Sequence, residues 1–176
     1  NVNVSYADIG WRFGTSALMN NCDESYFNNC GLNRCGTGIQ LNSQNSLTYT
    51  WDNLRVGNTD IVCEIKAGGK IVFNHPFVAH PCTFLMFRND LPSNVGPNTS
   101  IYGINHLEYD SQAVNAKVID CEPGIPYYAH IDVYRPDFSQ NEPDVWTNPA
   151  FHIGDEMSVF IDKGVNLHAG MISWNT

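Results

Sequence analysis

The sequence has few charged residues and no excess of positive charge. Charged side chains make up 15% of the 176 residues, and 18 acidic residues outweigh 9 basic ones to give a net charge of −9. A phosphate backbone or an anionic membrane surface would on average repel such a chain. We therefore expect neither nucleic acid nor membrane insertion among its interactions.

The sequence also lacks the short motifs of the commoner enzyme chemistries. No GxSxG elbow, phosphate-binding loop, GxGxxG or HExxH occurs, which argues against α/β-hydrolases, nucleotide enzymes and zincins. No close CxxC pair is present, which argues against a zinc ribbon or a thioredoxin site. The catalytic residues stay unknown, and so does whether the chain is an enzyme. Asp155-Glu156 and Glu108/Asp110 are candidates for the paired carboxylates of a glycosidase, with exposed acids at strand ends as the alternative.

Long apolar runs and visible repeats are missing as well. No apolar run approaches the length that crosses a bilayer. No period of 20 to 50 residues is visible, which predicts that the chain is not a solenoid or a propeller. The chain starts at Asn1 without a signal-like segment, so we expect a mature or trimmed product.

Six cysteines are present, at positions 22, 30, 35, 63, 82 and 121. An even number predicts three structural disulfides, whose pairing stays open. Disulfides imply an oxidising compartment, and the glycosylation sequons Asn3-Val4-Ser5 and Asn98-Thr99-Ser100 fit that compartment. We therefore expect a secreted, extracellular glycoprotein.

Short runs rich in β-branched and aromatic residues recur, separated by Gly, Pro, Asn and Asp. This pattern is typical of strands and turns. The segment EIKAGGKIVF, with Ala67-Gly68-Gly69 at its centre, predicts a hairpin. Two segments, residues 20–45 and 137–148, are predicted as long loops. The predicted strands are Asn1–Tyr6, Leu47–Trp51, Asp60–Lys66, Lys70–Phe73, Thr83–Arg88, Ala113–Cys121, Tyr127–Tyr134, Met157–Ile161 and Met171–Trp174.

About nine short strands in one chain predict an all-β fold. We expect a single domain over residues 1–176. Its expected architecture is a two-sheet antiparallel β-sandwich, immunoglobulin-like, cupredoxin-like or jelly-roll, with disulfide-stapled loops.

Aromatic residues in polar surroundings provide the leading functional prediction. Sugar rings stack on aromatic faces, and neighbouring polar side chains recognise hydroxyl groups through directed hydrogen bonds. Strand alternation places three polar or aromatic residues of YYAHIDVY on one face, and a tryptophan lies in the second predicted loop. The predicted carbohydrate-binding residues are Trp146, Tyr128, Tyr134, His130 and Asp132.

The histidines support a competing prediction, because imidazole is the commonest side-chain ligand of copper and zinc. His75 and His80 each precede a proline, which predicts an extended backbone in a stiff loop. His168 lies three residues before Met171, and a thioether near an imidazole suits copper. The candidate metal ligands are His80, His168, Met171 and His75, with packing roles as the alternative.

The segment DIVCEIKAGGKIVFNHPFVAHPCTFLMF resembles the strands and histidine loop of secreted copper β-sandwiches. In cupredoxins an AG-x-x-I-x-F strand leads to the first histidine ligand, and a His-Met pair lies near the C-terminus. CEPGIPYYAHIDVY is similar to the C-x-P-G-x-Y segment of fungal lytic polysaccharide monooxygenases. The chain departs from both families, because no cysteine follows Cys121 and residue 1 is Asn instead of His. The resemblance implies copper, with His80 and the His168/Met171 pair as ligands.

We therefore expect a secreted protein that binds a polysaccharide or other cell-wall or surface glycan and needs no cofactor. The first alternative is a copper-binding protein related to cupredoxins or polysaccharide monooxygenases, redox-active or with lost activity. The second is an adhesion, capsid or toxin-like interaction domain. The oligomeric state stays open.

Overall fold

A computed structural model of the chain describes residues 1–15, 24–43, 48–67, 70–79, 82–89, 100–109, 117–125, 129–134, 150–154, 156–162 and 171–175. These residues contain eighteen β-strands and no helix. Accordingly, no helix in the described part of the chain could cross a membrane.

The strands form three sheets. The first sheet contains β1 (Asn3–Ser5), β4 (Gly31–Asn33), β7 (Arg55–Gly57), β10 (Phe77–Val78) and β13 (Glu108–Tyr109). The second contains β2 (Ile9–Phe13), β5 (Thr37–Asn42), β8 (Ile61–Ala67), β11 (Thr83–Phe87), β14 (Lys117–Cys121), β16 (Phe151–Gly154) and β18 (Ile172–Asn175). The third contains β3 (Ser25–Asn28), β6 (Thr48–Asp52), β9 (Lys70–Asn74), β12 (Ser100–Asn105), β15 (Ala129–Tyr134) and β17 (Met157–Ile161).

All pairings between these strands are parallel, and each strand from β1 to β12 pairs with the third strand further along the chain, whereas β14 pairs with β16 and β15 with β17. The chain therefore visits the three sheets in turn and coils into a three-faced parallel β-helix. Successive turns of the coil stack at about 4.8 Å, the spacing of neighbouring strands. The predicted antiparallel sandwich is wrong, and so is the prediction that the chain is not a solenoid.

The predicted hairpin in EIKAGGKIVF is wrong for the same reason. Its two halves, β8 and β9, are strands as predicted, but they lie in different sheets. Cys63 of β8 pairs with Ile39 and Leu85, whereas Ile71 of β9 pairs with Tyr49 and Tyr102. The two strands do not pair with each other, because each takes its parallel neighbours from the preceding and following turns of the coil.

The corners carry a repeat that is hard to see in the sequence. The segments NNCGL, DNLRV, NHPFV and NHLEY begin at Asn28, Asp52, Asn74 and Asn105, which are partners in successive turns of the third sheet. These residues follow one another at intervals of 24, 22 and 31 residues. Unequal connections between the second and third sheets break the fixed period that a search for repeats relies on.

The corner between the third and first sheets has a left-handed backbone in four turns, with φ near +50° at Asn29, Asn53, His75 and His106. Asparagine and histidine are enriched among the non-glycine residues that adopt this conformation. Their backbone N–H groups donate to carbonyl groups of the next turn, as His75 does to Asn105 at 2.8 Å. The extended conformation predicted for His75 is therefore wrong, because the corner requires a left-handed residue there.

Apolar side chains from all three sheets fill the inside of the coil. Trp51 is fully buried, stacks on Phe27 with ring centroids 4.0 Å apart, and meets Trp11 edge to face at 5.0 Å. Each such buried side chain stabilises the fold by about 1.5–3 kcal/mol relative to exposure. The interior, built turn upon turn, is the main source of stability.

The cysteines belong to this interior. The five described cysteines are buried and form no disulfide, and Cys22 lies outside the described residues; the five are Cys30, Cys35, Cys63, Cys82 and Cys121. Burial and the neighbouring Glu64 carboxylate raise the pKa of Cys63 far above its ordinary value, so its thiol stays protonated. The predicted disulfide staples are wrong, since these cysteines act as small apolar core residues.

The predicted disulfides were the main argument for an oxidising compartment, and the described cysteines do not form them. Secretion and glycosylation stay predictions that rest on the two sequons. Asn3 of the first sequon is exposed in β1, and Asn98 of the second lies outside the described residues.

Candidate functional site

The outer side of the third sheet carries exposed aromatic and polar residues near its C-terminal end. Along β15, Ala129, Ile131 and Val133 are buried, and the alternate residues face outward. On β17, Ser158 and Phe160 face the same way. We call the five outward residues His130, Asp132, Tyr134, Ser158 and Phe160 the aromatic face.

Hydrogen bonds hold the polar half of the aromatic face in place. His130 Nδ1 lies 2.7 Å from the Ser158 hydroxyl, and His130 Nε2 lies 3.0 Å from an Asp132 carboxylate oxygen. Both ring nitrogens are engaged, so the orientation of the imidazole is defined. The other oxygen of Asp132 remains able to accept a hydrogen bond from a ligand hydroxyl.

The apolar half of the aromatic face consists of two exposed rings on neighbouring strands. Tyr134 and Phe160 have exposed fractions of 40% and 47%, and their ring centroids lie 5.6 Å apart at an angle of 49°. Large rings left in water on a rigid sheet cost solvation free energy, which a ligand with apolar C–H groups would recover.

Tyr134 also lines a groove that runs along the corner between the third and first sheets. The groove has a volume of about 670 Å³ and is lined by Asn74, His75, Asn105, His106, Tyr134 and Asp162. The rings of His75 and His106 stack with centroids 4.9 Å apart at 14°, which matches the spacing of adjacent turns. The regular backbone thus places equivalent polar groups in successive turns.

An amide ladder forms the wall of this corner groove. Asn105 Nδ2 donates to Asn74 Oδ1 at 2.7 Å, and Asn74 Nδ2 donates to Asp52 Oδ1 at 2.6 Å. The ladder ends at the Asp52 carboxylate, which also accepts a hydrogen bond from Tyr26. That hydrogen bond raises the pKa of Tyr26 above its ordinary value. Each amide has a second N–H, which this ladder does not use.

The structure brings together three of the five residues predicted to bind carbohydrate. His130, Asp132 and Tyr134 share the aromatic face, whereas Trp146 and Tyr128 lie outside the described residues. The prediction missed Phe160 and His106. Each becomes recognisable only when the register between turns is known, because Tyr134 lies in a different segment of the chain from both.

The predicted metal ligands are not brought together where they are described. His80 and His168 lie outside the described residues. His75 is exposed at a corner, whereas Met171 is buried beside β16. Three strand steps of the second sheet separate their turns, or about 14 Å at the usual strand spacing. Within the described residues, no group of three or more His, Cys, Asp or Glu side chains could hold a metal ion.

The outer side of the second sheet is polar in a different way. Arg88 forms ion pairs with Glu64 at 2.8 Å and with Glu122 at 2.7 Å. Gln40 donates to the other oxygen of Glu64 at 2.6 Å. Both oxygens of Glu64 and the Arg88 guanidinium are engaged within the cluster, which leaves little capacity to bind a ligand.

A second cluster on that sheet centres on Asp120. Its carboxylate accepts from Lys117 at 2.6 Å and lies 2.9 Å from His152 Nδ1. Burial alone would raise the pKa of Asp120, but the hydrogen bonds from Lys117 and His152 outweigh it and hold this pKa below its ordinary value. We call the two clusters together the charged face.

Comparisons with protein-family models, with curated proteins and with solved structures found no match to this chain. The resemblance to copper proteins therefore rests on short motifs alone. The sandwich fold that it implies is contradicted by the all-parallel sheets.

Proposed function

We propose that the chain binds a carbohydrate chain along the aromatic face and the adjoining corner groove. The observation that carries the proposal is the exposed pair Tyr134 and Phe160, held beside the His130 and Asp132 hydrogen-bonding groups. Apolar rings next to directed polar groups fit the two kinds of surface on a sugar.

The direction of the groove favours an elongated ligand. Its lining residues Asn74, Asn105, Tyr134 and Asp162 come from four successive turns. Three strand steps span about 14 Å, the length of a short oligosaccharide. The ligand would lie parallel to the axis of the coil and meet similar groups at regular intervals.

The charge of the chain favours a neutral glycan. The net charge of −9 and the Asp132 and Asp162 carboxylates oppose binding of a polyanion. Neutral hydroxyl groups can donate to those carboxylates and accept from the asparagine amides. Because the face is open to water, each hydrogen bond contributes only about 0.5–1.5 kcal/mol, and we expect modest affinity.

The test is affinity electrophoresis against a panel of neutral polysaccharides, followed by calorimetry with oligosaccharides of the retained polymer. Tyr134→Ala and Phe160→Ala should each weaken binding at least tenfold, because each removes one stacking ring. His130→Ala should weaken binding while leaving the two rings in place.

The matched control is Trp174→Ala, which removes an exposed aromatic ring from β18 in a different sheet. Its binding should equal that of the unmodified chain. Retention of no polysaccharide, or an equal loss in Trp174→Ala and Tyr134→Ala, would contradict the proposal.

A further inference from the structure

The first sheet has an outer groove that is separate from the proposed glycan site. It has a volume of about 400 Å³, and its lining includes Asn3, Ser5, Asn33, Arg55, Gly57 and Phe77. All of these residues lie on or next to the short strands β1, β4, β7 and β10. The groove is therefore built on paired backbone instead of on loops.

Two glycines shape the floor of this first-sheet groove. Asn3 pairs with Gly31, and Asn33 pairs with Gly57 in the next turn. A Cβ at Gly31 would overlap Asn3 Oδ1, and a Cβ at Gly57 would lie 3.3 Å from Asn33 Oδ1. Each asparagine amide thus lies over a bare glycine, which keeps the groove open and fixes the amides.

Arg55 is the charged group of the groove. It is exposed, and no ion pair or side-chain hydrogen bond joins it to any other described residue. Two other arginines do have partners: Arg88 pairs with two carboxylates, and Arg34 donates to the Tyr6 hydroxyl at 2.6 Å. Arg12 is exposed without a described partner as well, but it lies on β2 and does not line the groove. In a chain with a net charge of −9, a guanidinium left unpaired in a groove is available for an external anion.

An aromatic ring lies next to Arg55 on the neighbouring strand. Phe77 of β10 pairs with Arg55 of β7, and 36% of its surface is exposed. We propose that the first-sheet groove binds a small carboxylate that carries a ring. The carboxylate accepts two parallel hydrogen bonds from the Arg55 guanidinium, and the ring packs against Phe77.

The groove suits a single carboxylate better than a phosphate or a polyanion. Arg55 is the only Arg or Lys lining it, and the acidic surroundings oppose ligands of higher negative charge. The Asn3 and Asn33 amides can donate to further ligand oxygens. This site lies on a different sheet from the aromatic face, so it does not depend on the proposed glycan binding.

The experiment measures binding of benzoate and glucuronate, with benzamide and glucose as neutral counterparts, by ligand-observed NMR and calorimetry. The protein is produced in a host that does not glycosylate Asn3, because a glycan on that side chain would fill the groove. At least one carboxylate should bind at least tenfold more tightly than its neutral counterpart. A preference for benzoate identifies an aromatic acid, and a preference for glucuronate identifies a sugar acid.

Arg55→Gln should weaken carboxylate binding at least tenfold, and Arg55→Lys should restore only part of it, because an ammonium lacks the planar fork. The control Arg12→Gln removes another exposed arginine that has no described partner, from the second sheet, and should change nothing. Carboxylates that bind no better than their neutral counterparts would overturn the proposal. Equal binding by Arg55→Gln and the unmodified chain would also overturn it.

Discussion

The charged face of the second sheet and the aromatic face of the third sheet are built on the same coil but differ in what their side chains contact. On the charged face, Arg88 binds two carboxylates from neighbouring strands, and Asp120 binds Lys117 of its own strand and His152 of the next one. On the aromatic face, Tyr134 and Phe160 leave 40% and 47% of their surface in water. The strands pair in parallel under both faces.

The difference shows that regular stacking can serve either stability or recognition. Outward side chains of adjacent turns lie about 4.8 Å apart, which is close enough for them to satisfy one another. Where side chains of opposite charge lie in adjacent turns, they form ion pairs with one another, and little capacity to bind a ligand remains. Where rings, imidazoles and amides follow one another, part of their binding capacity remains for a ligand. The first two predictions test the first kind of surface and the last two the second.

The largest expected effect is on the charged face. Arg88→Met leaves the buried Glu64 carboxylate without its ion pair, and we expect the free energy of unfolding to fall by about 2–3 kcal/mol. Urea denaturation measures this change. Arg12→Met is the control and should stay within about 0.5 kcal/mol of the unmodified chain. If Arg88→Met had an equally small effect, the ion pairs of Arg88 would contribute as little to stability as ion pairs on an exposed surface.

The second effect depends on pH. Because the pKa of Asp120 is lowered in the folded chain, its stabilisation is fully present above the ordinary value of 3.8 and is lost as the pH falls through the lower folded-state value. Asp120→Asn should cost about 1 kcal/mol at pH 7. Urea denaturation at pH 7 and at pH 3 should show the gap between the two proteins narrowing in acid. If the difference in free energy of unfolding widened in acid, the pKa of Asp120 would be raised in the folded chain, which would contradict the prediction.

A smaller effect on stability is expected from the aromatic face. Tyr134→Ala should lower the free energy of unfolding by less than about 1 kcal/mol, because 40% of the residue's surface is already in water. The same variant should lose glycan binding at least tenfold. A loss of stability comparable to that of Arg88→Met would instead make Tyr134 a packing residue.

The smallest effect is on a titration. Asp52→Asn should lower the pKa of Tyr26 toward its ordinary value of 10.0, because the carboxylate that accepts its hydrogen bond becomes neutral. Tyrosinate absorbance, with Tyr26→Phe to identify the signal, measures the shift. The amide ladder should persist, since Asn also accepts from Asn74. An unchanged titration would show that the hydrogen bond to Asp52 does not form in solution.

Local strand formation was predictable for half of the eighteen observed strands, and β2, β12 and β16 are among those that the prediction missed. Each of the nine predicted strands overlaps an observed one, and Met157–Ile161 has the same bounds. The segment predicted as a long loop, residues 20–45, nevertheless contains β3, β4 and β5. Asn29 and Gly36 lie at corners between strands only a few residues long, and other Asn and Gly residues lie within those short strands, so turn signals outnumber strand signals there.

The candidate site was predictable only along one strand. Alternation in AHIDVY correctly separates His130 and Asp132 from Ile131, because side chains of any strand alternate between faces. The neighbours Ser158 and Phe160 were not predictable, since nothing local says which strand lies beside β15. The cysteine prediction failed for a related reason, because counting cysteines does not reveal where in the coil each of them is buried.

By itself, the sequence determined where half of the strands form and which of their residues face inward, since alternation and β-propensity act between near neighbours. Only the tertiary structure decided that the strands pair in parallel with the next turn of the coil. Period-two alternation is the same in a hairpin and in a coil, and the choice depends on contacts more than 20 residues apart. Those contacts place Phe160 beside Tyr134, His106 beside His75 and Phe77 beside Arg55, and they thereby create both proposed binding surfaces.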